Sequence, residues 1–318
     1  MTPEISAHGL RKRYGAATPV DGIDFEVAPG EIFGFLGPNG AGKSTTINML
    51  CSLLDPTEGR ATVAGYDVNT EKESVRRNIG LVFQDSVLDG YLTAEQNLRF
   101  HGDLYGLPRE LMKERVQQVL DMVGLTGRRY DTASTYSGGM KRRLEIARGL
   151  LHSPRVLFLD EPTAGLDPES RHAIWNHVLE LRETAGITVF MTTHYLEEAE
   201  YCDRIAIIDH GRIVVLDTPE ALKSGVGSDR VTVTTPDIEA VVRTLRDRFD
   251  LPAEGDREEG TVRFSVPGGA EFVPMLFHGF GAEITSVQVN RPSLDDVFLR
   301  HTGTKIDSDG ANRPGGSV

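Results

Sequence analysis

The chain has 318 residues and a mass of 34.9 kDa, a length that favours two domains over one or three. Hydrophobic residues make up 39% and charged residues 25%, which excludes collagen-like, disulfide-rich and wholly disordered proteins. The formal charge of −13 disfavours non-specific binding to nucleic acid, which requires a basic surface.

The two cysteines, Cys51 and Cys202, are far apart and have no metal-ligand spacing, so we expect free thiols in a reducing compartment. Residues 1–9 show no basic stretch followed by an apolar run, and we expect no secretory signal. No run approaches the roughly 18 apolar residues that span a bilayer. Any membrane span that serves this protein is expected to belong to another chain.

Strands and helices alternate along the first two-thirds of the chain. Period-two patterns predict half-buried strands around Ile5, Leu10 and residues 22–27, and the apolar run 32–36 predicts a buried parallel strand. The further predicted elements are a helix over 45–54, strands over 62–68 and 79–83, a helical region over 93–126, and strands over 156–159, 188–191 and 205–208. This alternation predicts an α/β fold with an open, mostly parallel sheet between helices.

The composition changes near residue 223, where Gly and Ser in 223–228 predict a linker. Beyond it, the predicted elements are strands over 231–235, 261–266 and 284–289 and helices over 238–249, 272–280 and 294–300. A small α/β domain is therefore expected over 223–302. Residues 303–318, rich in Gly, Asp, Ser and Pro, are expected to form a disordered tail.

The segment from Gly37 to Ser44 matches the phosphate-loop pattern GxxxxGK[ST], between a predicted buried strand and a predicted helix. Glycines let successive N–H groups point at one anion, and the helix N-terminus favours negative charge. Lys43 is expected to reach the β and γ phosphates, and the Ser44 hydroxyl to bind Mg²⁺. The residues expected to bind the nucleotide here are Gly37, Pro38, Asn39, Gly40, Ala41, Gly42, Lys43, Ser44 and Thr45.

A second apolar strand, residues 156–159, ends in the consecutive carboxylates Asp160 and Glu161. The first can hold Mg²⁺ through water, and the second can orient or deprotonate an attacking water molecule. Alone, such a pair is as often two solvated acids at a strand end. Downstream of a phosphate loop, it predicts phosphoryl-transfer chemistry.

Ser137, Gly138 and Gly139 stand between these two motifs and precede the basic helical segment 141–148. The order phosphate loop, Ser-Gly-Gly, strand-Asp-Glu resembles the ATP-binding subunits of ABC transporters. The flanks Tyr136 and Met140 replace the family's commonest Leu and Gln, as in a branch of drug and lipid exporters. The resemblance covers roughly residues 4–222 and implies the P-loop NTPase sheet of that family, with its antiparallel β subdomain and a helical subdomain over about 86–140.

The resemblance implies roles for four further residues. Tyr14 would stack on adenine, Gln84 would sense Mg²⁺ and water, and His194 would contact the γ-phosphate. Asp167, in the segment 164–167, would cross an interface between two subunits. Lys43, Gln84, Glu161 and His194 would carry catalysis, and Ser44, Gln84 and Asp160 would hold Mg²⁺.

Two copies of the chain would be needed, because ATP in this family lies between the phosphate loop of one subunit and the Ser-Gly-Gly segment of the other. The cofactors implied are ATP and Mg²⁺.

The residues 292–299, followed by Thr302-Gly303, resemble the C-terminal motif of daunorubicin-resistance-type ATPases. The implied partner is a separate ABC-2-type membrane permease that chooses the cargo, without nucleic acid, at the cytoplasmic face of the cell membrane.

In the last predicted helix, Leu294, Val297 and Phe298 form an apolar stripe. This stripe is expected either to dock on its own domain or to place Phe298 at an interface with another subunit or the nucleotide domain. The cargo expected from the resemblance is a drug-like, lipid or other hydrophobic compound.

Two other functions fit parts of the pattern. A soluble ABC-type ATPase could act on ribosomes or DNA, but ribosomal relatives usually carry two nucleotide domains, and DNA-repair relatives insert long coiled coils. A non-hydrolytic regulatory module would be expected to lack Glu161 or His194. An ATPase that powers a membrane permease therefore fits best.

Overall fold

The structure, a computed structural model, describes residues 2–257, 259–279, 284–306 and 312–314. The chain divides into two compact units, the first extending to Thr218 and the second beginning at Pro219.

The first unit contains two sheets. Its strands are β1 (Ile5–Tyr14), β2 (Ala17–Val27), β3 (Ile32–Leu36), β4 (Glu58–Val63), β5 (Tyr66–Asp67), β6 (Ile79–Val82), β7 (Val156–Asp160), β8 (Thr188–Thr193), β9 (Arg204–Asp209) and β10 (Arg212–Asp217). The larger sheet has the order β10-β9-β3-β8-β7-β6 and is parallel except for β10. The other, β2-β1-β4-β5, is antiparallel.

Helices connect the strands of the larger sheet. They are α1 (Lys43–Leu50), α2 (Lys72–Asn78), α3 (Ala94–Leu104), α4 (Arg109–Met122), α5 (Gly138–Leu150), α6 (Pro168–Ala185) and α7 (Leu196–Ala199), with 3₁₀ turns at Thr126–Arg128 and Ala133–Thr135. The core of the unit includes five aromatic rings with adjacent centroids 5.5–5.8 Å apart, Phe25, Phe33, Phe35, Phe158 and Phe190. The predicted α/β class with an open, mostly parallel sheet is confirmed.

Among the predicted elements of this unit whose bounds differ from the structure, two share one cause. The helix expected over 45–54 begins at Lys43 and ends at Leu50, and Ser52 already has a positive φ of 56°. The strand expected over 62–68 is divided into β4 and β5, because Ala64 and Gly65 form a turn with φ of 54° and 87°. Both differences arise where the backbone enters the left-handed region, which hydrophobic periodicity does not report.

The second unit is built around one antiparallel sheet of order β12-β13-β11-β14. Its elements are α8 (Pro219–Val226), β11 (Asp229–Thr234), α9 (Ile238–Phe249), β12 (Ala253–Asp256), β13 (Thr261–Val266), α10 (Gly269–Gly279), β14 (Ser286–Asn290) and α11 (Leu294–Thr302). Buried residues from both strands and helices form its core, among them Val231, Val233, Val241, Leu245, Phe264 and Leu276. The alternation of inward and outward residues along β13 is the period-two pattern of a half-covered sheet.

The linker expected over 223–228 is wrong for residues 223–226, because α8 continues to Val226. Arg300 of α11 donates hydrogen bonds to the carbonyls of Gly225 and Val226 at 2.6 and 2.7 Å. The last carbonyls of a helix have no hydrogen-bond donor within the helix. At the end of α8 the Arg300 guanidinium is that donor, where water would otherwise be the partner. The second unit therefore begins with α8, four residues before the boundary expected from the sequence.

The described part of the expected tail contains β15 (Thr304–Ile306) paired with β16 (Asn312–Pro314). Residues 307–311 and 315–318 of that predicted tail lie outside the described residues.

The apolar stripe of α11 is buried within the chain. Leu294, Val297 and Phe298 have almost no exposed surface, and α11 packs against α8. Ser293 and Asp296 form a reciprocal capping box at its start, so the helix is fixed at its first turn. This is the arrangement of a helix docked on its own domain, and no exposed part of the Phe298 ring is left for another subunit.

Phe298→Ala is expected to destabilise the second unit by about 3–5 kcal/mol, the usual cost of removing a buried ring. Hydrogen–deuterium exchange should show faster exchange in α8 and α11, with unchanged protection in α1 and β3. His301→Ala, an exposed change on the same helix, serves as the control. Unchanged protection of α8 in Phe298→Ala would contradict this packing.

Candidate active site

The phosphate loop connects β3 to α1, as its sequence predicts. Gly42, the residue before α1, has a φ of 112°, and a Cβ placed there would lie 2.2 Å from the carbonyl oxygen of Pro19. Only glycine fits that position. No side chain caps the start of α1, so the first-turn N–H groups of the helix have no capping acceptor. Such N–H groups, at the positive end of the helix dipole, suit an anion.

Lys43 is the first residue of α1 and is almost fully buried. Its ammonium donates to the carbonyls of Gly37 and Pro38 at 2.7 and 3.1 Å, and lies 3.1 Å from Glu161 Oε1. Burial lowers the pKa of this ammonium, and the Glu161 carboxylate offsets part of that effect. The loop thus encloses the Lys43 ammonium group and holds it by two of its own carbonyls.

Asp160 ends β7 and is held by hydroxyl groups. Thr192 Oγ1 donates to its Oδ1 at 2.5 Å, and Ser44 Oγ donates to the same oxygen at 3.3 Å. The register of the parallel sheet places Asp160 beside Thr192, and α1 brings Ser44 to it. A hydroxyl and a carboxylate at this separation are the hard oxygen donors that Mg²⁺ prefers.

Glu161 follows directly and has a φ of 46°, a left-handed conformation that a non-glycine residue rarely adopts. Its N–H donates to Thr192 Oγ1 at 3.0 Å. Around its carboxylate lie three of the residues singled out by sequence. Lys43 Nζ is 3.1 Å from Oε1, Gln84 Nε2 is 3.4 Å from Oε2, and His194 Nδ1 is 3.2 Å from Oε2 without hydrogen-bond alignment.

Burial acts to raise the pKa of the Glu161 carboxyl, but the neighbouring His194 and Lys43 side chains outweigh it and lower that pKa below its usual value. The group is therefore an anion at neutral pH. A carboxylate that is buried, negatively charged and surrounded by polar groups is suited to hold and orient water.

His194 follows β8, and its ring contacts Tyr195 with centroids 4.0 Å apart. The guanidinium of Arg171 lies over the Tyr195 ring at 3.9 Å and also donates to the carbonyl of Leu166 at 3.1 Å. Arg171 thus joins the segment 164–167 to the residue beside His194.

The Ser-Gly-Gly segment begins α5. Ser137 is its N-cap, with the side chain accepting from Met140 N–H at 3.3 Å. Ser137 and Gly138 are exposed, while Gly139 is buried. The unusual flank Tyr136 is also buried, and its hydroxyl donates to the carbonyl of Arg128 at 2.7 Å. Tyr136 is therefore packed against the preceding turn, while Ser137 and Gly138 at the N-terminus of α5 remain exposed.

Asp167 caps α6, accepting from Ser170 N–H at 2.9 Å and from Ser170 Oγ at 2.7 Å. These hydrogen bonds lower the pKa of the Asp167 carboxyl.

Tyr14, at the end of β1, is 52% exposed, and the ammonium of Lys12 lies 5.1 Å from its ring centre. The ring thus offers an open face for stacking.

The structure brings six of the predicted site residues into one cluster, Lys43, Ser44, Gln84, Asp160, Glu161 and His194. Among the contacts that the structure describes, none joins Tyr14, Ser137 or Asp167 to this cluster. In the described part of the chain, no group of three His, Cys, Asp or Glu side chains could hold a metal ion. Metal binding would therefore rely on Asp160 together with hydroxyl and amide oxygens.

Sequence reasoning missed three buried charged residues next to the cluster. Arg142 and Glu145 lie on α5 and contact the main chain around Glu161 and Gln84. Glu198 accepts from Thr193 Oγ1 at 2.6 Å and from Thr163 Oγ1, and burial raises its pKa. Charged side chains are rarely buried unless they are paired, and nothing in the local sequence indicates that these three would be buried here.

The family model described as ABC transporter matches residues 20–164, from β2 through the phosphate loop and the Ser-Gly-Gly segment to just beyond Glu161. The chain is also 40% identical to the Daunorubicin resistance ATP-binding protein DrrA2 of Streptomyces coeruleorubidus, over 96% of each chain. The chain belongs to the ATP-binding proteins of the ABC transporter family.

Within that family, the similarity is to resistance proteins. The Linearmycin resistance ATP-binding protein LnrL of Bacillus subtilis is 41% identical over 95% of this chain and 99% of the relative. These matches extend through the second unit, so the resemblance to daunorubicin-resistance-type ATPases is confirmed.

A solved structure supports the same assignment. The dimeric post-hydrolysis state of the ATP-binding cassette MJ0796, bound to ADP and Pi, matches with a TM-score of 0.61 and 27% identity, over 67% of this chain and 98% of that one. The predicted ABC-type P-loop fold is confirmed, and the protein is an ATP-binding ATPase of this class. Proteins of this class work as dimers together with membrane components.

Proposed function

We propose that this protein is the ATP-hydrolysing subunit of an exporter, in which two copies sandwich ATP head to tail and drive a separate ABC-2-type permease. The observation that carries the proposal is the arrangement around Glu161, whose carboxylate lies 3.1–3.4 Å from Lys43, His194 and Gln84. Together with Glu161, those three side chains come from four different segments of the fold, and a merely structural carboxylate would not need them all.

The nucleotide phosphates would be bound by the loop 37–45, with its N–H groups and Lys43 supplying the positive charge. Mg²⁺ would be held by Ser44 and Asp160, with Gln84 close by, and would neutralise phosphate charge when bound. The donor set fits this metal, because Mg²⁺ takes oxygen ligands and usually keeps several waters. Tyr14 would stack on the adenine ring.

In hydrolysis, Glu161 would orient the attacking water and accept its proton. His194 and Gln84 would fix the position of that carboxylate and contact the γ-phosphate and metal. Positioning together with electrostatic stabilisation accounts for most catalysis of phosphoryl transfer, so a preorganised cluster of this kind suits the reaction.

The second half of each ATP site would come from the other copy, through Ser137, Gly138, Gly139 and Asp167. The exposure of Ser137 and Gly138 at the N-terminus of α5 supports this role, because N–H groups there can reach an anion on a second molecule. Closure of the dimer around the γ-phosphate and its release after hydrolysis would be the step that drives the permease.

The permease would dock on the helical segment between Gln84 and the Ser-Gly-Gly motif. Val87, Tyr91, Phe100 and Leu104 are exposed there, which is costly for a surface that contacts only water. Across the residues that the structure describes, no helix has the length and apolar character to cross a membrane. We infer that the protein works at the cytoplasmic face of the membrane, and that the permease selects a drug-like, lipid or other hydrophobic cargo.

The proposal is tested by capturing tagged Glu161→Gln protein with MgATP from detergent-solubilised membranes of its own cell, followed by mass spectrometry. A polytopic membrane protein in near one-to-one ratio is expected. Recovery of ribosomal proteins or DNA, or of no companion, would favour the soluble ATPase instead.

The docking surface gives a separate prediction. Phe100 and Leu104 lie one turn apart on α3, and Phe100→Glu with Leu104→Glu should reduce recovery of the permease by at least tenfold. ATP hydrolysis by the purified protein should stay within about twofold, because neither side chain contacts the cluster around Glu161. Phe277→Glu is the matched control, since Phe277 is 60% exposed against 61% for Phe100. Equal loss of permease in both variants would contradict docking at α3.

A further inference from the structure

A buried ion pair on α5 lies beside the proposed catalytic groups. Arg142 and Glu145 are 6% and 2% exposed, and Arg142 Nη1 donates to Glu145 Oε2 at 3.0 Å. A buried ion pair by itself adds little to stability, because the loss of water around both charges offsets their attraction. The position of this pair is better explained by its contacts with other segments.

Arg142 binds the main chain of the turn that carries Glu161. Its Nε donates to the carbonyl of Pro162 at 2.6 Å, and its Nη2 donates to the carbonyls of Asp160 and Glu161 at 3.0 and 3.1 Å. Three successive carbonyl oxygens are thus held by one rigid, planar group. This is also the turn in which Glu161 adopts its unfavourable left-handed conformation, which persists only when surrounding contacts fix it.

The same pair binds the main chain on both sides of Gln84. Arg142 Nη1 donates to the carbonyl of Phe83, and Glu145 Oε1 accepts from the N–H of Val87 at 3.1 Å. Gln84 therefore lies in a segment that is attached at both ends to α5. Because α5 begins at the Ser-Gly-Gly segment, one helix carries that segment and holds the turns of Glu161 and Gln84.

We propose that Arg142, supported by Glu145, is a positioning residue that fixes Glu161 and Gln84 to the helix that begins at the Ser-Gly-Gly segment. A displacement of this helix by nucleotide bound to the other copy would then shift the hydrolytic groups of its own site. The inference rests on the proposed roles of Glu161 and Gln84 in hydrolysis. It adds that nucleotide bound at one site changes the rate of hydrolysis at the other site through Arg142.

The test compares Arg142→Gln and Arg142→Lys with the unchanged protein in steady-state ATP hydrolysis. Arg142→Gln is expected to lower kcat about 10- to 100-fold, the range for small misplacement of a reacting group. The KM for ATP should stay within about twofold, because the phosphate loop does not contact Arg142. The cooperativity of hydrolysis with respect to ATP concentration should also fall in Arg142→Gln. Arg142→Lys can still donate to a carbonyl, so it should keep part of the kcat and part of the cooperativity.

Arg143→Gln is the matched control, because it makes the same change one residue along α5, where Arg143 donates to the carbonyl of Val123 at 3.1 Å. Its kcat is expected to remain near that of the unchanged protein. If Arg142→Gln fails to fold, Arg142→Lys and Glu145→Gln carry the same comparison, since both keep the buried volume.

A double-mutant cycle separates positioning from general damage. If Arg142 acts through Glu161, adding Arg142→Gln to Glu161→Gln should lower the residual single-turnover rate by less than about twofold. A full kcat in Arg142→Gln, or an equal loss in both backgrounds, would overturn the inference. Normal turnover by Glu161→Gln alone would instead contradict the proposed role of Glu161 in hydrolysis. That result is measured without any change at Arg142, so the two failures can be told apart.

Discussion

Glu161→Gln is expected to lower ATP turnover by about 10²- to 10⁴-fold while ATP still binds. General-base groups contribute roughly 10²- to 10⁴-fold, and this carboxylate, which directly follows β7 beside Gln84 and His194, is the proposed acceptor. The amide keeps the size and the contacts with Thr192 through the main chain, so the local fold should persist. Because hydrolysis would no longer release the γ-phosphate, the variant should accumulate as an ATP-bound dimer.

Two measurements check this expectation. Turnover is followed by phosphate release, and the dimer by size-exclusion chromatography coupled to light scattering with MgATP. Glu197→Gln makes the same change at an exposed position close to His194 and should behave like the unchanged protein. Normal turnover in Glu161→Gln would show that another group accepts the proton.

The acidity of Glu161 adds a prediction about pH within the same experiment. Since His194 and Lys43 lower the pKa of this carboxyl, it stays ionised down to a pH below the usual carboxyl range. Activity that depends on the anion is therefore present above that lowered pKa and lost as the pH falls through it. The acid side of the rate profile should lie below the range of an ordinary glutamate.

The sequence predicts best where one physical requirement fixes the structure. Residues 32–36 are all apolar and fold as β3 with the expected bounds, because a strand covered on both faces excludes polar positions. The helix expected over 238–249 is observed with the same bounds. Asp237 caps its start, and Asp250 in the left-handed region ends it. Local signals suffice at these places.

Prediction fails where a distant group decides. Gly and Ser over 223–228 predict a linker, yet α8 extends to Val226 because Arg300 reaches its last carbonyls. Position 142 likewise carries no local sign that its guanidinium will bind the carbonyls of residues 160–162. The candidate site was predictable for the residues proposed to bind phosphate and metal, because they belong to known sequence patterns. The groups that hold those residues in place became visible only with the fold.

Lys43→Ala is expected to weaken ATP binding about 10- to 100-fold, because the variant loses the proposed hydrogen bond from the ammonium to the charged phosphates. The loss differs from that in Glu161→Gln, because Lys43 would contact phosphate in the bound state as well as during reaction. Lys43→Met tests the charge alone, since it keeps a long apolar side chain in the buried loop. Both variants should lose affinity by similar factors if charge is what the loop supplies.

Binding is measured by titrating each variant with MgATP in a calorimeter, with exposed Lys113→Ala as the control. Removing Lys43 also leaves Glu161 with one fewer positive neighbour, so the pKa of that carboxyl should rise toward its usual value. The residual hydrolysis of Lys43→Met should therefore fall at a higher pH than that of the unchanged protein. Undiminished affinity in both Lys43 variants would mean that the N–H groups of the loop hold the phosphates without the ammonium, and that Lys43 serves chiefly to hold Glu161 in its ionised form.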